Sequence, residues 1–128
     1  GEGIFKRLQA SSIRDPRIVL LGFIPEANVA DFYASIDAFV FPSINALEAF
    51  GIAQAEAKTL GVPLVTSDLP GVRTLVDSPA TGILVRPNDI DALKLGMENV
   101  QKITRKSTQT NGSSGMQKYE ELILRLLK

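Results

Sequence analysis

The stretch AFVFPSINALEAFGIAQAEAKTLGVPLVT, residues 38–66, decides the fold class. It begins with the apolar run AFVF at 38–41 and ends with PLVT at 63–66. Short β-branched and aromatic runs of this kind are typical of fully buried parallel strands. The Ala-rich segment between them, at 50–60, favours a helix lying close to a sheet, and the following GVP sequence ends it. The stretch therefore predicts a β-α-β unit.

The same alternation continues on both sides of this unit. Two further runs, RIVLL at 17–21 and GILV at 82–85, have the pattern of buried strands. Helical periodicity covers residues 4–10 and 29–36, and Asp89 is a predicted N-cap for a helix with Ile90, Leu93, Met97 and Val100 on one face. This order predicts an α/β fold with an open, doubly wound, Rossmann-like parallel sheet.

The predicted organisation is one α/β core at 1–103, a polar loop at 104–115 and an amphipathic closing helix at 116–128. In this architecture a Gly-rich turn that opens a helix normally follows a strand, and no strand pattern precedes the glycines at 1–3. We therefore expect a partial domain that lacks at least one strand–helix unit upstream.

Composition excludes several classes of protein. Fourteen Lys and Arg balance fourteen Asp and Glu, which argues against nucleic-acid binding through a broad basic field. The chain has no cysteine and no histidine, so it cannot build disulfides, thiolate nucleophiles, Cys- or His-based zinc sites or imidazole bases. Its longest apolar stretch, at 18–25, is too short for a membrane helix.

Two glutamates mark the candidate site. Glu48 lies where a loop enters the helix predicted at 50–60, and Glu56 lies about two turns further along. Eight helical residues rise about 12 Å, too far for a glycosidase carboxylate pair but suited to two ends of one extended ligand. The helix start near Phe50, Gly51 and Ile52 offers free N–H groups to an anion.

The residues alone leave a plainer interpretation open. Glu56 could be a solvated helix glutamate, and Glu48 a first-turn acid that complements the helix dipole. We interpret Tyr33 as a core residue. We interpret the cations Lys58, Arg73 and Arg86 as solvated surface groups rather than phosphate ligands.

Six motifs in order carry a family resemblance. They are GEG at 1–3, RIVLLGFIP at 17–25, YASIDAFVFPS at 33–43, EAFGIAQAEA at 48–57, GVPLV at 61–65 and GILVRPNDIDAL at 82–93. Together they resemble the C-terminal, donor-binding part of the retaining, family-4-like group 1 glycosyltransferases of the GT-B fold. The segment at 48–57 resembles that family's E-x7-E signature.

The resemblance implies a role for each matching residue. Glu48 would be the catalytic residue near the transferred sugar. Phe50, Gly51 and Ile52 would donate backbone hydrogen bonds to the sugar and distal phosphate, and Glu56 would hold the ribose hydroxyls. The family's activity would be sugar transfer from a nucleotide-diphosphate sugar to an acceptor hydroxyl with retention of configuration, without a metal or other cofactor.

The resemblance also sets expectations for the chain as a whole. The acceptor-binding N-terminal domain would be missing, the acceptor would be a glycan, lipid or small molecule, and the isolated chain would be inactive. We expect a cytoplasmic location, with any membrane association residing in the full-length protein, and no nucleic-acid partner. Two alternatives stay open: a non-catalytic nucleotide-sugar-binding module, and a GT-B-like nucleotide-sugar epimerase.

Overall fold

A computed structural model describes residues 2–45, 51–105 and Leu124 of the chain. The helices in this part are α1 (Glu2–Arg14), α2 (Glu26–Ser35), α3 (Ile52–Thr59) and α4 (Ile90–Val100). The strands are β1 (Phe39–Phe41), β2 (Leu64–Ser67) and β3 (Gly82–Val85), and a 3-10 turn at Arg73–Leu75 precedes β3.

The three strands form a parallel sheet in the order β1-β2-β3. Phe39 pairs with Leu64, and Leu64 pairs in turn with Gly82, so the strands begin at the same level. Helix α3 makes the crossover from β1 to β2, which is how parallel neighbours are joined. The predicted β-α-β unit is therefore confirmed.

Helices cover both faces of the sheet. Leu64 and Val65 are adjacent in β2, both are fully buried, and they point to opposite faces. Leu64 packs in a cluster with Tyr33 of α2 and Ala57 of α3. Val65 packs in a second cluster with Val100 of α4. One face thus receives α2 and α3 and the other receives α4, which confirms the doubly wound α/β class.

Helix α4 starts where the sequence predicts, but the face that it buries is not the predicted one. The Asp89 side chain accepts a hydrogen bond from the Ala92 N–H at 2.9 Å, so Asp89 is the N-cap. Val100 is buried as predicted, but Ile90 is 84% exposed and Met97 is 45% exposed. The helix approaches the sheet through Gly96 instead, a position with no side chain to hold it away.

The strand predicted at 17–21 is wrong. The chain there forms no strand, and Val19 and Phe23 are 70% and 90% exposed. Its one described hydrogen bond between backbone groups runs from the Ile18 N–H to the Asp15 carbonyl at 3.0 Å, within a turn. An apolar run becomes a strand only when a neighbour accepts and donates its backbone hydrogen bonds. None of the described strands lies beside this run.

Most of the predicted polar loop and closing helix lie outside the described residues. Of residues 104–128, the structure describes Thr104, Arg105 and Leu124, and Leu124 is exposed. Within the described ranges, no helix is long and apolar enough to cross a membrane.

Candidate functional site

The carboxyl edge of the sheet is where a ligand site is expected. The strands are parallel, so the ends of β1 at Phe41, β2 at Ser67 and β3 at Val85 all meet at this edge. Helix α3 follows β1 and returns toward the start of β2, so its N-terminus lies at the same edge. Open α/β sheets bind ligands in the crevice beyond these strand ends.

The start of α3 has the properties of an anion site. Gly51 is buried and precedes the first residue of the helix, and its carbonyl accepts the first intrahelical hydrogen bond, from Ala55 N–H at 2.9 Å. The N–H groups of the first turn have no partner within the helix. No acidic side chain lies in that turn, so nothing in it neutralises the positive end of the dipole.

The structure places some of the predicted site residues and leaves others outside its description. Gly51 and Ile52 lie at the start of α3, and the Ile52 side chain is 52% exposed. Glu48 and Phe50 fall outside the described residues. The donor-binding roles predicted for Gly51 and Ile52 therefore stay predictions, and so does the catalytic role of Glu48.

Glu56 is a buried carboxylate one turn into α3. Only 8% of its surface is exposed, and its Oε2 accepts a hydrogen bond from the Tyr33 hydroxyl at 2.9 Å. No other described residue bonds this carboxylate. A carboxylate has about four acceptor sites, so one donor leaves most of its capacity unused. This burial does not fit the interpretation of Glu56 as a solvated helix glutamate.

Tyr33 makes polar contacts in addition to its predicted place in the core. It is 4% exposed and belongs to the core, as predicted, but its hydroxyl also reaches across to α3. There it lies 2.9 Å from Glu56 Oε2 and 3.1 Å from the Ala53 carbonyl oxygen. A buried tyrosine hydroxyl normally finds a polar partner. A tyrosine within an apolar helical face was therefore the signal that a polar contact had to be found nearby.

Arg105 is a second residue that the sequence analysis missed. Its Nη1 donates to the carbonyls of Ala34 at 2.8 Å and Ile36 at 2.9 Å, and its Nη2 donates to the carbonyl of Tyr33 at 3.0 Å. These are carbonyls at the C-terminal end of α2, which has no basic residue of its own in the last turn. Arg105, a cation 69 to 72 residues away in the sequence, therefore caps the C-terminal end of α2.

The predicted surface cations differ in their partners. Lys58 pairs with Asp77 at 2.7 Å, and Arg73 pairs with Asp68 at 3.1 Å. Arg86 is exposed and has no ion pair with any described residue. It lines a cavity of about 210 Å³ at the carboxyl edge, together with Ser67, the last residue of β2.

Within the described part of the chain, no group of three or more acidic side chains lies close enough to hold a metal ion. The polar groups near the start of α3 are the buried carboxylate of Glu56, the buried amide of Gln54 and the first-turn N–H groups, which no described side chain caps. Chemically, that set suits a ligand with hydroxyl groups at one point and negative charge at another.

Comparison with known proteins identifies the family. The sequence profile described as "Glycosyl transferases group 1" matches residues 5–113 of the 128-residue chain. The chain belongs to the group 1 glycosyltransferase family. The match includes the glutamates at 48 and 56 and all of the sheet.

Several curated glycosyltransferases are similar to the chain. An uncharacterized glycosyltransferase of Methanocaldococcus jannaschii is 33% identical over 84 residues, which are 66% of this chain and 21% of that protein. The O-antigen chain mannosyltransferase B of Escherichia coli is 32% identical over 92 residues, 72% of this chain and 23% of that protein. A D-inositol 3-phosphate glycosyltransferase of Xylanimonas cellulosilytica is 35% identical over 77 residues, 60% of this chain and 18% of that protein. This group 1 glycosyltransferase chain thus spans about a fifth of the length of these relatives.

Proposed function

We propose that this chain is the donor-binding part of a retaining glycosyltransferase that moves a sugar from a nucleotide-diphosphate sugar to an acceptor hydroxyl. Family membership supports the transfer reaction. The named relatives act on different acceptors, an O-antigen chain in one and D-inositol 3-phosphate in another, so the family does not fix the acceptor.

The start of α3 supplies the proposed binding groups. The backbone N–H groups of Phe50, Gly51 and Ile52 bind the sugar and the distal phosphate of the donor. The positive end of the helix dipole stabilises the negative charge that grows on the leaving diphosphate as the glycosidic bond breaks. That stabilisation increases toward the transition state, so it accelerates the reaction rather than only tightening binding.

The two glutamates act at opposite ends of the donor. Glu48 lies beside the transferred sugar, and Glu56 accepts hydrogen bonds from the ribose hydroxyls. The leaving diphosphate assists removal of the proton from the acceptor hydroxyl, so no histidine is needed from a chain that has none.

The observation that carries this proposal is the environment of Glu56. A buried carboxylate with a single described donor is costly unless its remaining acceptor sites find further hydrogen bonds. Two vicinal ribose hydroxyls would supply them. The first turn of α3, where phosphate would bind, is about 6 Å away along the helix axis.

The test is an amide NMR titration of the 128-residue chain with UDP, GDP and ADP at millimolar concentration. We expect one of the three to shift resonances around residues 51–56, and we expect Glu56→Ala to remove those shifts. Glu98→Ala is the matched control, because Glu98 is an exposed glutamate on α4, a helix of the opposite sheet face. It should titrate like the unmodified chain.

Two outcomes would overturn the proposal. One is a well-dispersed spectrum that no nucleotide perturbs. The other is a set of shifts that cluster away from α3 and survive Glu56→Ala. Either result would mean that the donor site lies in another part of the chain or in another protein.

The remaining parts of the proposal concern the reaction itself. We propose that the acceptor site lies outside these 128 residues, and that the chain alone transfers no sugar. Turnover of a nucleotide sugar by the chain alone would contradict this. Retention is tested on a longer protein containing this chain, where the anomeric proton of the product should show the same configuration as the donor.

A further inference from the structure

We propose that Tyr33 is a positioning residue for the donor site, which orients the Glu56 carboxylate toward the nucleotide ribose, and that Arg105 fixes Tyr33 in turn. This inference rests on the proposed donor-binding role of Glu56. It adds two residues, on α2 and beyond α4, that lie outside the motif containing Glu56.

The hydroxyl of Tyr33 determines the orientation of the Glu56 carboxylate. The Tyr33 hydroxyl has one hydrogen, and two oxygens of the described residues lie within its reach, Glu56 Oε2 at 2.9 Å and the Ala53 carbonyl oxygen at 3.1 Å. The charged oxygen is the stronger acceptor and takes that hydrogen. With Oε2 held by α2, the rotation of the carboxylate is fixed and Oε1 is left for a ligand.

Tyr33 is itself held rigidly by the core. Tyr33 is 4% exposed, and its ring packs against the rings of Phe32 and Phe39 at centroid distances of 5.3 Å and 5.7 Å. Its hydroxyl therefore cannot follow Glu56 if the carboxylate moves. Because packing holds the Tyr33 hydroxyl in place, the hydrogen bond from it selects one orientation of the Glu56 carboxylate. Precise ligand binding requires side chains that are fixed in this way.

Arg105 holds the main chain of Tyr33. The guanidinium of Arg105 donates to the Tyr33 carbonyl and to two further carbonyls at the end of α2. Tyr33 is thus held through its main chain by Arg105 and through its ring by the core. The connection runs from Arg105 through Tyr33 to Glu56 and joins three segments that are distant in the sequence.

The experiment measures how well the chain distinguishes a ribonucleotide from its 2′-deoxy counterpart. The probe is whichever of UDP, GDP and ADP binds most tightly, paired with its 2′-deoxy form, and the readout is the ratio of the two Kd values. We expect the unmodified chain to prefer the ribonucleotide. Tyr33→Phe should reduce that preference about tenfold, the worth of one hydrogen bond to a charged group.

Two further variants separate positioning from general stability. Ser35→Ala removes another hydroxyl from α2, an exposed one that donates to the Phe32 carbonyl at 2.7 Å and has no described hydrogen bond to Glu56, so the ratio should stay unchanged. Arg105→Lys keeps the charge but loses the planar fork of donors, and it should reduce the preference by a smaller factor. Arg105→Lys also tests the proposal if Tyr33→Phe does not fold.

The outcomes distinguish this inference from the proposed function. If the unmodified chain prefers the ribonucleotide, Glu56→Ala abolishes the preference and Tyr33→Phe and Arg105→Lys leave it intact, then the positioning role is overturned and the donor site stands. If the unmodified chain binds both forms equally, the role of Glu56 fails and the positioning role fails with it.

Discussion

The side-chain amide of Gln54 occupies the space that a side chain at Gly51 would need. A Cβ added to Gly51 would lie 2.9 Å from Cδ of Gln54, and closer still to the amide nitrogen. Gln54 is completely buried, and neither its nitrogen nor its oxygen has a described hydrogen-bond partner. The helix start proposed to bind the nucleotide sugar therefore contains a glycine in close contact with a buried amide that has no described hydrogen-bond partner.

Replacing this amide should stabilise the chain. Gln54→Met keeps the length of the side chain and removes two buried polar atoms whose unmet hydrogen bonds cost about 1–3 kcal/mol. We expect the free energy of unfolding, measured by urea titration, to rise by about that amount. Gln101→Met is the matched control, since Gln101 is exposed and its replacement should change stability by less than about 0.5 kcal/mol. A loss of stability in Gln54→Met would mean that the amide has a partner.

Gly96 is predicted to resist substitution for a different reason. Alanine is normally favoured over glycine within a helix, by about 1 kcal/mol. A Cβ at Gly96, however, would lie 2.7 Å from Cγ1 of Val85 and 3.1 Å from Cγ1 of Val65, in the second core cluster. We expect Gly96→Ala to lower the free energy of unfolding by about 1–3 kcal/mol, because the helix must move away from the sheet.

The control for this prediction is another helical glycine. Gly3 lies in α1, and a Cβ added there would meet nothing within 4 Å. Gly3→Ala should leave stability unchanged or raise it slightly, in a urea titration run beside Gly96→Ala. Equal effects of the two substitutions would show that α4 does not depend on close approach to the sheet.

Local patterns were enough to predict much of this fold. The strand at Gly82–Val85 was predicted with its observed bounds, and the other two strands of the sheet to within one residue at each end. The N-cap at Asp89 was also confirmed, because capping depends on a side chain and a backbone N–H three residues apart. These features are decided by residues that are near each other in the sequence.

Non-local strand pairing explains why the prediction of a strand at 17–21 was wrong. Doubly wound sheets consist of two halves, and the strand order reverses where the halves meet. Strands that pair in chain order, as β1, β2 and β3 do, form one half, and the strand that precedes such a half in the sequence lies in the other half. The run at 17–21 therefore has no neighbour within the half formed by β1, β2 and β3. Its apolar character predicts burial, but only a pairing partner makes it a strand.

In the candidate site, too, features that depend on nearby residues could be predicted from the sequence, and contacts between distant residues could not. The position of Gly51 and Ile52 at a helix start follows from the Ala-rich segment alone. The contact of Tyr33 with Glu56 spans 23 residues, and the contact of Arg105 with Tyr33 spans 72. Helical periodicity places Tyr33 on a buried face but does not say which polar group its hydroxyl meets there.

Removing the guanidinium of Arg105 should destabilise the chain. Arg105→Met retains much of the apolar stem but leaves three carbonyls at the end of α2 without their donors. Since Arg105 is half-buried, we expect a loss of about 1–3 kcal/mol in the free energy of unfolding. Lys102→Met is the control, because Lys102 is exposed and the one described hydrogen bond of its side chain, to Asn99, is 3.3 Å long. Equal losses in both variants would contradict a specific role for Arg105.

The ion pair between Lys58 and Asp77 predicts how stability changes in acid. Hydrogen bonds from Lys58 and then from Thr81, with the charge of Lys58, lower the pKa of Asp77 from 3.8 to about 2. An aspartate whose pKa is lower in the folded state stabilises the fold above its unfolded pKa, and this contribution is lost as the pH falls through its folded pKa. The unmodified chain should therefore exceed Asp77→Asn in stability by a constant amount above about pH 4, and the difference should shrink between about pH 4 and pH 2. Urea titrations at a series of pH values measure it, with Asp31→Asn, an exposed aspartate without a described ion pair, as the control. A difference that stays constant down to pH 2 would show that the pair does not lower the pKa of Asp77.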